Sequence, residues 1–431
     1  MSCATIASAE PPPSRDNVIA EMRPYNGPSQ QGVDCSTLDR KTMCGYQGWF
    51  SCPGDGADLG WKHYGRQGRF DPGTCCFDLW PDTSELADEE KFATPFRHRD
   101  GRTAYVFSSY REPTVLRHFR WMREYGIDGV FVQRFAVATV GGRELRHVNT
   151  VLAHCREGAN REGRAYALMY DLSGLGEAKI DQVIDDWRLL VDRMRLGRDP
   201  ADKAYLQHRG RPVVAVWGIG FNDGRKYTLA ECRRLVEFLR HDKTYGNNCV
   251  MLGVPTGWRT LDRDSMPEPA LHEIIAAADI VSPWTVGRYG PDGIARHAER
   301  HWQPDIAWCR EHGKDYVPVV FPGFSWHNLK PESPSKQIPR LKGEFLWRQY
   351  AELRRAGATM AYLAMFDEID EGTAIFKCTN DPPTGTSTFI TYEGLPSDHY
   401  LWMVGEAAKM IRGETSLRNT QPVRNTSSPS Q

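Results

Sequence analysis

The sequence of 431 residues carries almost no net charge and no long apolar run. A formal charge of −1 leaves no electrostatic footprint for nucleic acid or an anionic membrane. No stretch approaches 18 apolar residues, so we expect no membrane-spanning segment. The 11 cysteines form no C-x-x-C motif, and the adjacent pair Cys75-Cys76 does not make a closed zinc site by itself. These absences argue against nucleic-acid-binding and membrane-spanning proteins, and they leave the pairing of the cysteines open.

Motifs for several kinds of catalysis are also missing. No Gly-rich nucleotide fingerprint follows an early strand, which disfavours a doubly wound nucleotide-binding sheet. No H-E-x-x-H or comparable ligand spacing occurs, so we expect neither a metal nor another cofactor. No G-x-S-x-G elbow occurs, which disfavours serine catalysis. The chain does contain many aromatic residues, with 13 Trp and 17 Tyr that suit either a core or stacking on sugar rings.

The two ends of the chain differ in composition from its middle. Residues 1–38 are rich in Pro and polar residues and are predicted to form a flexible arm, and residues 414–431 a disordered tail. Residues 39–413 remain as one domain. Ala7-Ser-Ala9 looks like the end of a signal-peptidase site. Secreted or periplasmic localisation is favoured if the true N-terminus carries a signal peptide, and cytoplasmic localisation otherwise.

Eight short apolar runs alternate with amphipathic helical patterns. Continuous apolar runs of this length indicate strands buried on both faces. The runs cover residues 43–50, 129–135, 165–170, 212–217, 250–254, 280–284, 317–321 and 360–366. The clearest helical pattern, residues 180–194, has apolar steps of three and four. Eight strands each followed by a helix predict the α/β class and a single (β/α)8 barrel, with a long loop insertion between the first strand and its helix.

In such a barrel the active site lies at the C-terminal ends of the strands. The last predicted strand leads into Phe366-Asp-Glu-Ile-Asp-Glu-Gly-Thr373, which places two glutamates three residues apart. A pair of carboxyl groups is the usual equipment for cleaving a glycosidic bond. We therefore predict Glu368 and Glu371 as catalytic residues, the alternative being an acidic surface loop or a helix N-terminus.

The other strand ends and the long loop offer aromatic and hydrogen-bonding side chains, which suit a glycan. The predicted substrate-binding residues are Tyr46, Trp49, His63, Gln133, Arg134, Tyr170, Asp171, Trp217, Trp258, Arg259, Trp284, Trp326 and His327. Each has a structural alternative. The tryptophans could pack between barrel and helices, Arg134 could balance a buried acid, and the two histidines could be structural hydrogen-bonding groups.

Five segments together resemble a known family. They are Met43-Cys-Gly-Tyr-Gln-Gly-Trp-Phe50, Gly60-Trp-Lys-His-Tyr64, Gly129-Val-Phe-Val-Gln-Arg-Phe135, Phe321-Pro-Gly-Phe-Ser-Trp-His-Asn328 and Phe366-Asp-Glu-Ile-Asp-Glu-Gly-Thr373. They resemble bacterial proteins of the glycoside hydrolase family 99-like and family 71-like group, over roughly residues 40–412. The best-known members are endo-α-mannosidases with a (β/α)8 barrel. Their acidic motif reads E-W-H-E-G, and here Ile369-Asp370 replaces the central W-H.

The resemblance implies a retaining glycoside hydrolase. By that resemblance Glu368 is the base toward the sugar 2-hydroxyl, which attacks C1 to give a 1,2-anhydro sugar, and Glu371 is the acid and then the base for water. Two alternatives stay open at this point. One is a glycosidase that uses direct carboxylate attack or inversion, and the other is a catalytically inactive glycan-binding barrel. The expected partner is a glycan, and the sugar, the linkage and the oligomeric state are left open.

Overall fold

The computed structural model describes residues 11–424, and within them the chain forms twelve strands and ten α-helices. The strands are β1 (Thr42–Tyr46), β2 (Phe92–Arg97), β3 (Thr103–Val106), β4 (Gly129–Phe135), β5 (Ala165–Asp171), β6 (Gln207–His208), β7 (Arg211–Trp217), β8 (Cys249–Val254), β9 (Ile280–Pro283), β10 (Asp315–Tyr316), β11 (Val319–Val320) and β12 (Ala361–Leu363). The helices are α1 (Arg15–Glu21), α2 (Glu112–Tyr125), α3 (Gly142–Glu162), α4 (Ile180–Met194), α5 (Leu229–His241), α6 (Ala270–Ala277), α7 (Ile294–His297), α8 (Gln303–Glu311), α9 (Glu344–Arg355) and α10 (His399–Arg412).

Nine strands form one parallel sheet, in the order β10-β9-β8-β7-β5-β4-β1-β12-β11, and β6 pairs antiparallel with β7. The strands at the two ends of this order, β10 and β11, are separated along the chain by Val317 and Pro318. Val317 N donates to Val281 O on one side at 2.9 Å, and Pro318 O accepts from Tyr362 N on the other side at 2.9 Å. Because proline has no N–H to donate, the ladder is interrupted at this residue.

The predicted class of fold, a parallel sheet with helices between its strands, is confirmed. Strands such as β4 and β8 are buried along nearly their whole length, which is why they appear in the sequence as unbroken apolar runs. The helical segment over residues 294–311 is divided by a π-helical turn at Ala298–Trp302. Pro304 follows this turn and lacks the N–H that a regular α-helix would use there.

The long connection between β1 and α2 contains an element that the sequence did not reveal. Its strands β2 and β3 pair antiparallel, and Arg97 at the end of β2 accepts a backbone hydrogen bond from Thr384 at 2.9 Å. Asp78 N donates to the carbonyl of Ile369 at 3.1 Å. The connection is therefore fastened to the segment that carries the two glutamates.

The ends of the described chain lie against the sheet and its helices. α1 packs on α3, and Tyr25 N donates to Asp199 Oδ2 at 2.7 Å. Near the other end, Arg424 pairs with Asp398 at 2.6 Å. The flexibility predicted for residues 1–38 and the disorder predicted for 414–431 stay predictions. The Ala7-Ser-Ala9 motif lies outside the described residues.

The ten cysteines between residues 11 and 424 are free thiols. In the same part of the chain, none of the helices has the length and apolar character needed to cross a membrane.

Candidate active site

The segment after β12 is fixed by its own backbone. The carbonyl oxygen of Glu368 accepts the N–H groups of Thr373 and Ala374, at 3.1 and 2.9 Å. The carbonyl of Phe366 accepts the N–H of Phe376 at 3.0 Å. Multiple backbone bonds leave the turn little freedom, so the glutamate side chains start from defined positions.

Glycine is required at the end of this turn. Gly372 has φ +63°, and a Cβ built there would lie 2.9 Å from the carbonyl oxygen of Ser325. The close approach allows Ser325 N to donate to the carbonyl of Glu371 at 2.9 Å. Arg340 donates to the carbonyl of Gly372 at 2.8 Å from the other side. The segments after β11 and β12 are thus joined next to Glu371.

Both glutamates line one cavity of about 190 Å³, which we name the glutamate cavity. It lies at the C-terminal ends of the parallel strands. Its lining consists of Gln47, Trp49, Gln133, Phe135, Asp171, Ser173, Trp217, Trp284, Met365, Glu368 and Glu371. The cavity therefore combines three carboxyl groups, two amides and three indole rings.

The carboxyl group of Glu368 is held by two donors. Gln47 Nε2 donates to Oε1 at 2.7 Å, and Thr373 Oγ1 donates to Oε2 at 2.8 Å. Burial raises the pKa of Glu368 well above its ordinary value, with further increases from the charges of Glu371 and Asp370. The two hydrogen bonds act in the opposite direction, since they favour the ionised form.

The pKa of Glu371 is also raised. Burial raises the pKa of Glu371 to about 7, with Asp370 and Asp171 adding to the increase and Lys330 opposing it. Burial raises the pKa of Asp171 to about 6, against the hydrogen bond from Ser173 N at 2.7 Å. The site consequently keeps protons on carboxyl groups at pH values where exposed glutamates have lost theirs.

Two further acids lie in the same turn. Asp367 is fully buried and accepts the N–H groups of Gln47 at 2.7 Å and Gly48 at 2.9 Å. Burial raises the pKa of Asp367 to about 7, although these two bonds favour its ionised form. Asp370 Oδ2 lies 3.3 Å from His63 Nδ1. Asp367 thus connects the turn to the end of β1, and Asp370 connects it to the long connection.

A second cavity, of about 320 Å³, adjoins the first and is named the side cavity. The two share Gln47, Trp49, Gln133 and Phe135. The remaining lining consists of Gly48, Lys62, His63, Val137, Ala138, Glu144, His147 and Val148. The space at the strand ends therefore extends past the glutamates toward α3.

Aromatic rings line the glutamate cavity and the side cavity. Trp49 is stacked on His63, with ring centroids 3.9 Å apart and an interplanar angle of 6°. Trp217 meets Trp284 edge to face at 5.5 Å. Within residues 11–424, the buried indole N–H groups of Trp49 and Trp217 have no hydrogen-bond partner. Such groups suit a ligand with both CH faces and hydroxyl acceptors.

The structure brings some of the predicted binding residues to the two cavities and places others elsewhere. Those that line a cavity are Trp49, His63, Gln133, Asp171, Trp217 and Trp284. Those that lie outside the lining are Tyr46, Arg134, Tyr170, Trp258, Arg259, Trp326 and His327.

The residues outside the lining are engaged in the protein itself. Arg134 forms a buried bidentate pair with Asp186 at 2.6 Å, and Tyr170 donates to the same carboxylate at 2.7 Å. Asp305 likewise accepts Trp258 Nε1 at 3.2 Å and Arg259 Nε at 2.8 Å.

Three other predicted residues have similar partners. Tyr46 is buried, with its hydroxyl 2.9 Å from His118 Nδ1. His327 Nδ1 donates to the carbonyl of Ser333 at 2.7 Å, and Lys330 lies over the ring of Trp326 at 3.7 Å.

Strand alternation explains which residues reach the cavity. Successive side chains of a strand point to opposite faces, and register partners in a parallel sheet share a face. Phe135, Asp171 and Trp217 are register partners across β4, β5 and β7, and all three line the glutamate cavity. Arg134 pairs in register with Tyr170, and both point away from it, toward α4.

Sequence reasoning missed four residues that line the glutamate cavity, which are Gln47, Phe135, Ser173 and Met365. For Gln47 and Phe135, the missed signal was the alternation of side chains along and just after a strand. Gln47 follows Tyr46 directly, so when one points toward α2 the other points into the cavity.

The described residues contain no cluster of three His, Cys, Asp or Glu side chains arranged to hold a metal ion. The carboxyl group of Glu368 accepts hydrogen bonds from an amide and a hydroxyl, and that of Asp171 accepts one from a backbone N–H group.

The fold is similar to that of solved glycoside hydrolases. A glycoside hydrolase family 99 endo-α-mannosidase from Bacteroides thetaiotaomicron, in complex with bis-tris-propane, aligns with 88% of this chain and 99% of its own, with a TM-score of 0.63 and 17% identity. A second structure described in the same way aligns over the same shares, with a TM-score of 0.60 and 18% identity. A glycoside hydrolase-like protein aligns over 77% of this chain and 93% of its own, with a TM-score of 0.50 and 14% identity.

No protein-family model matches the sequence, and no curated protein matches it. The resemblance to the family 99 group is confirmed at the level of the fold.

Proposed function

We propose that this protein is a glycoside hydrolase that cleaves an α-linked glycan with Glu368 and Glu371. The observation that carries the proposal is that both carboxyl groups, three residues apart in a backbone-fixed turn, line one cavity with three tryptophans. Two carboxyl groups at one glycosidic bond can supply the acid and the base that its cleavage needs. The tryptophans offer flat faces to the CH groups of a sugar ring.

The resemblance to the family 99 group implies a reaction with 2-hydroxyl participation. Glu368 takes the proton of the sugar 2-hydroxyl, whose oxygen forms a bond to C1 while the glycosidic bond breaks. Glu371 gives its proton to the departing glycosidic oxygen. Water then attacks C1 of the 1,2-anhydro sugar while the C1–O2 bond breaks, Glu371 takes a proton from the water, and Glu368 returns its proton to O2. Two displacements at C1 retain the anomeric configuration.

The electrostatics support one ionised and one protonated carboxyl group. Adjacent buried carboxyls resist being ionised together, and burial raises the pKa of both glutamates. The donors Gln47 Nε2 and Thr373 Oγ1 favour negative charge on Glu368. Burial raises the pKa of Glu368 well above its ordinary value and that of Glu371 to about 7, so without substrate a shared proton favours Glu368 at least as much as Glu371. The reaction requires the proton on Glu371, and we infer that substrate binding places it there, with the two donors stabilising the Glu368 carboxylate.

The wider architecture is proposed to be a closed (β/α)8 barrel. In support, β10 and β11 belong to one short stretch of chain that bonds to β9 on one side and to β12 on the other. The side cavity supports binding of a second sugar residue beside the cleaved one, which an endo-acting enzyme needs.

An α-mannoside is the first candidate substrate, because the structures reported as endo-α-mannosidases share the fold over 88% of the chain. Ile369-Asp370 distinguishes this chain at the central positions of the acidic motif. Ile369 is fully buried, and Asp370 faces His63. Neither side chain supplies an indole ring or an imidazole, so the sugar accepted here is expected to be set by other lining residues.

The test is digestion of a broad panel of α-linked glycans, scored by new reducing ends and by NMR of the product anomer. Wild-type protein should cleave at least one glycan with retention. Glu368→Gln and Glu371→Gln should lose at least about a thousandfold in kcat while remaining folded. Glu311→Gln, an exposed residue of α8, is the matched control and should retain full activity.

Each other result has a meaning. Binding without hydrolysis would favour the glycan-binding barrel, and inversion would exclude the 2-hydroxyl route. Normal turnover by both cavity variants would remove Glu368 and Glu371 from the mechanism.

A further inference from the structure

Gln47 occupies an unusual place in the glutamate cavity. Its side-chain amide donates to Glu368 Oε1 at 2.7 Å through Nε2, and this contact fixes which end of the amide faces the carboxyl group. The other end, Oε1, is buried and has no hydrogen-bond partner among the described residues. Gln47 lines both cavities, so its side chain lies where they meet.

The backbone of Gln47 is held as firmly as its side chain. Asp367, fully buried, accepts the N–H of Gln47 at 2.7 Å and that of Gly48 at 2.9 Å. Asp367 directly precedes Glu368 in the chain. The end of β1 and the acidic turn are thus joined twice, once through Asp367 and the backbone and once through the Gln47 amide and Glu368. Rotation of the amide would break the second connection and place its carbonyl oxygen against a carboxylate.

We propose that Gln47 is a substrate-contacting residue that holds Glu368 with its amide N–H and accepts, through Oε1, a sugar hydroxyl next to the one on which Glu368 acts. The inference rests on the proposed function and deepens it. An unpaired carbonyl oxygen accepts hydrogen bonds and cannot donate, so it selects a hydroxyl whose hydrogen points toward it. Leaving such a buried acceptor unpaired is unfavourable, so sugars lacking this hydroxyl are discriminated against.

Asp367 is assigned as the positioning residue for Gln47. It touches the cavity only through the residues that it holds, because its two oxygens bond to backbone N–H groups of the β1 end. Other acids near Glu368 are Glu371, Asp370 and Asp171.

The first arm of the test needs no substrate. Glu368 is followed by ¹³C NMR of labelled glutamate carboxyls in the full chain, its signal identified by its loss in Glu368→Gln. Gln47→Met removes the amide donor at equal length, and the acid dissociation constant of Glu368 should fall about tenfold. Gln47→Glu should lower it further, because it adds a negative charge at the same distance. If the titration of Glu368 is unchanged in both variants, the Gln47 amide does not stabilise its ionised form, and this part of the proposal is wrong.

The second arm uses the glycan that wild type cleaves in the panel, together with its monodeoxy analogues. Gln47→Met should lose about 10- to 100-fold in kcat/KM on the parent glycan. The loss should be smaller on the one analogue that lacks the hydroxyl read by Oε1, because only the effect through Glu368 remains there. An equal loss on every analogue would overturn the contact. The control is Gln207→Met, at the opposite end of the sheet, whose amide donates to the carbonyl of Gly197.

The two arms separate this proposal from the one on which it rests. If wild type cleaves no glycan, the proposed function fails and the hydroxyl contact fails with it, while the titration still decides whether Gln47 holds Glu368. If wild type cleaves a glycan and Gln47→Met behaves as wild type on it, only the role of Gln47 fails. Circular dichroism melts of each variant distinguish these results from unfolding.

Discussion

Thr373 offers a sharp test of whether a hydroxyl donor stabilises the ionised form of Glu368. Its hydroxyl donates to Glu368 Oε2 at 2.8 Å, inside a fully buried environment. Thr373→Val preserves the shape of the side chain and removes this donor. A hydrogen bond to a charged group contributes about 1.5–3 kcal/mol. The ionised form of Glu368 should be destabilised by that amount, which lowers its acid dissociation constant by about tenfold or more.

The sign of the effect on activity follows from the role of a base. Loss of the donor raises the pKa of Glu368 beyond the increase that burial already causes. Below that pKa the fraction of active, ionised enzyme falls in proportion, and above it the two proteins have the same ionisation. The ratio of kcat/KM between variant and wild type should therefore be about 0.1 or lower at acid pH and rise toward 1 as pH increases.

The assay is a pH profile of kcat/KM on the glycan that wild type cleaves. Thr373→Ser, which keeps the hydroxyl, is the matched control and should follow the wild-type profile. A ratio that is low but independent of pH would refute the reasoning, because it would indicate misplacement of the turn rather than a change in titration. A ratio near 1 throughout would show that Gln47 alone maintains the charge on Glu368.

Two further variants address charge and stability. Asp370→Asn removes a negative charge that raises the pKa of both Glu368 and Glu371, so both values should fall and the kcat/KM profile should move to lower pH. A profile that does not move would show that the charge of Asp370 does not affect the pKa values of Glu368 and Glu371. Arg134→Met leaves Asp186 buried without its partner and should cost about 3–5 kcal/mol of unfolding free energy in urea melts. Arg233→Met, which removes only an exposed pair with Glu273, should cost less than about 1 kcal/mol, and equal costs would contradict the role assigned to burial.

Much of the fold could be predicted because the strands of its sheet are buried on both faces. Burial on both faces makes most positions apolar, and this makes β4, β5 and β8 visible as runs without alternation. The hairpin β2–β3 escaped prediction because its alternating exposed residues include Pro95 and the basic Arg97, which weaken the pattern. The two-residue strand β6 is too short to leave any periodic signal.

The candidate site could be predicted only in part. The acidic turn was visible because two glutamates and a glycine directly follow an apolar run. To predict which polar residues at the other strand ends line the cavity, one must know the face of the sheet on which each side chain lies. That face depends on the pairing register of the strands. At the end of β5, Tyr170 and Asp171 are equally suited to a glycan by chemistry, and the sheet directs only Asp171 into the cavity.

The same alternation explains why a strand end can serve stability and function at once. Arg134 points outward and completes a buried network with Asp186, while its neighbours Gln133 and Phe135 line the cavity. The network holds the C-terminal end of β4 in place. This also positions Gln133 and Phe135, which take no part in the network. Substitutions at outward positions should therefore reduce unfolding free energy, whereas substitutions at inward positions should reduce turnover with little effect on folding. The buried Asp367 is the exception that joins the two sets, because its carboxylate holds the end of β1 while the next residue, Glu368, faces the cavity.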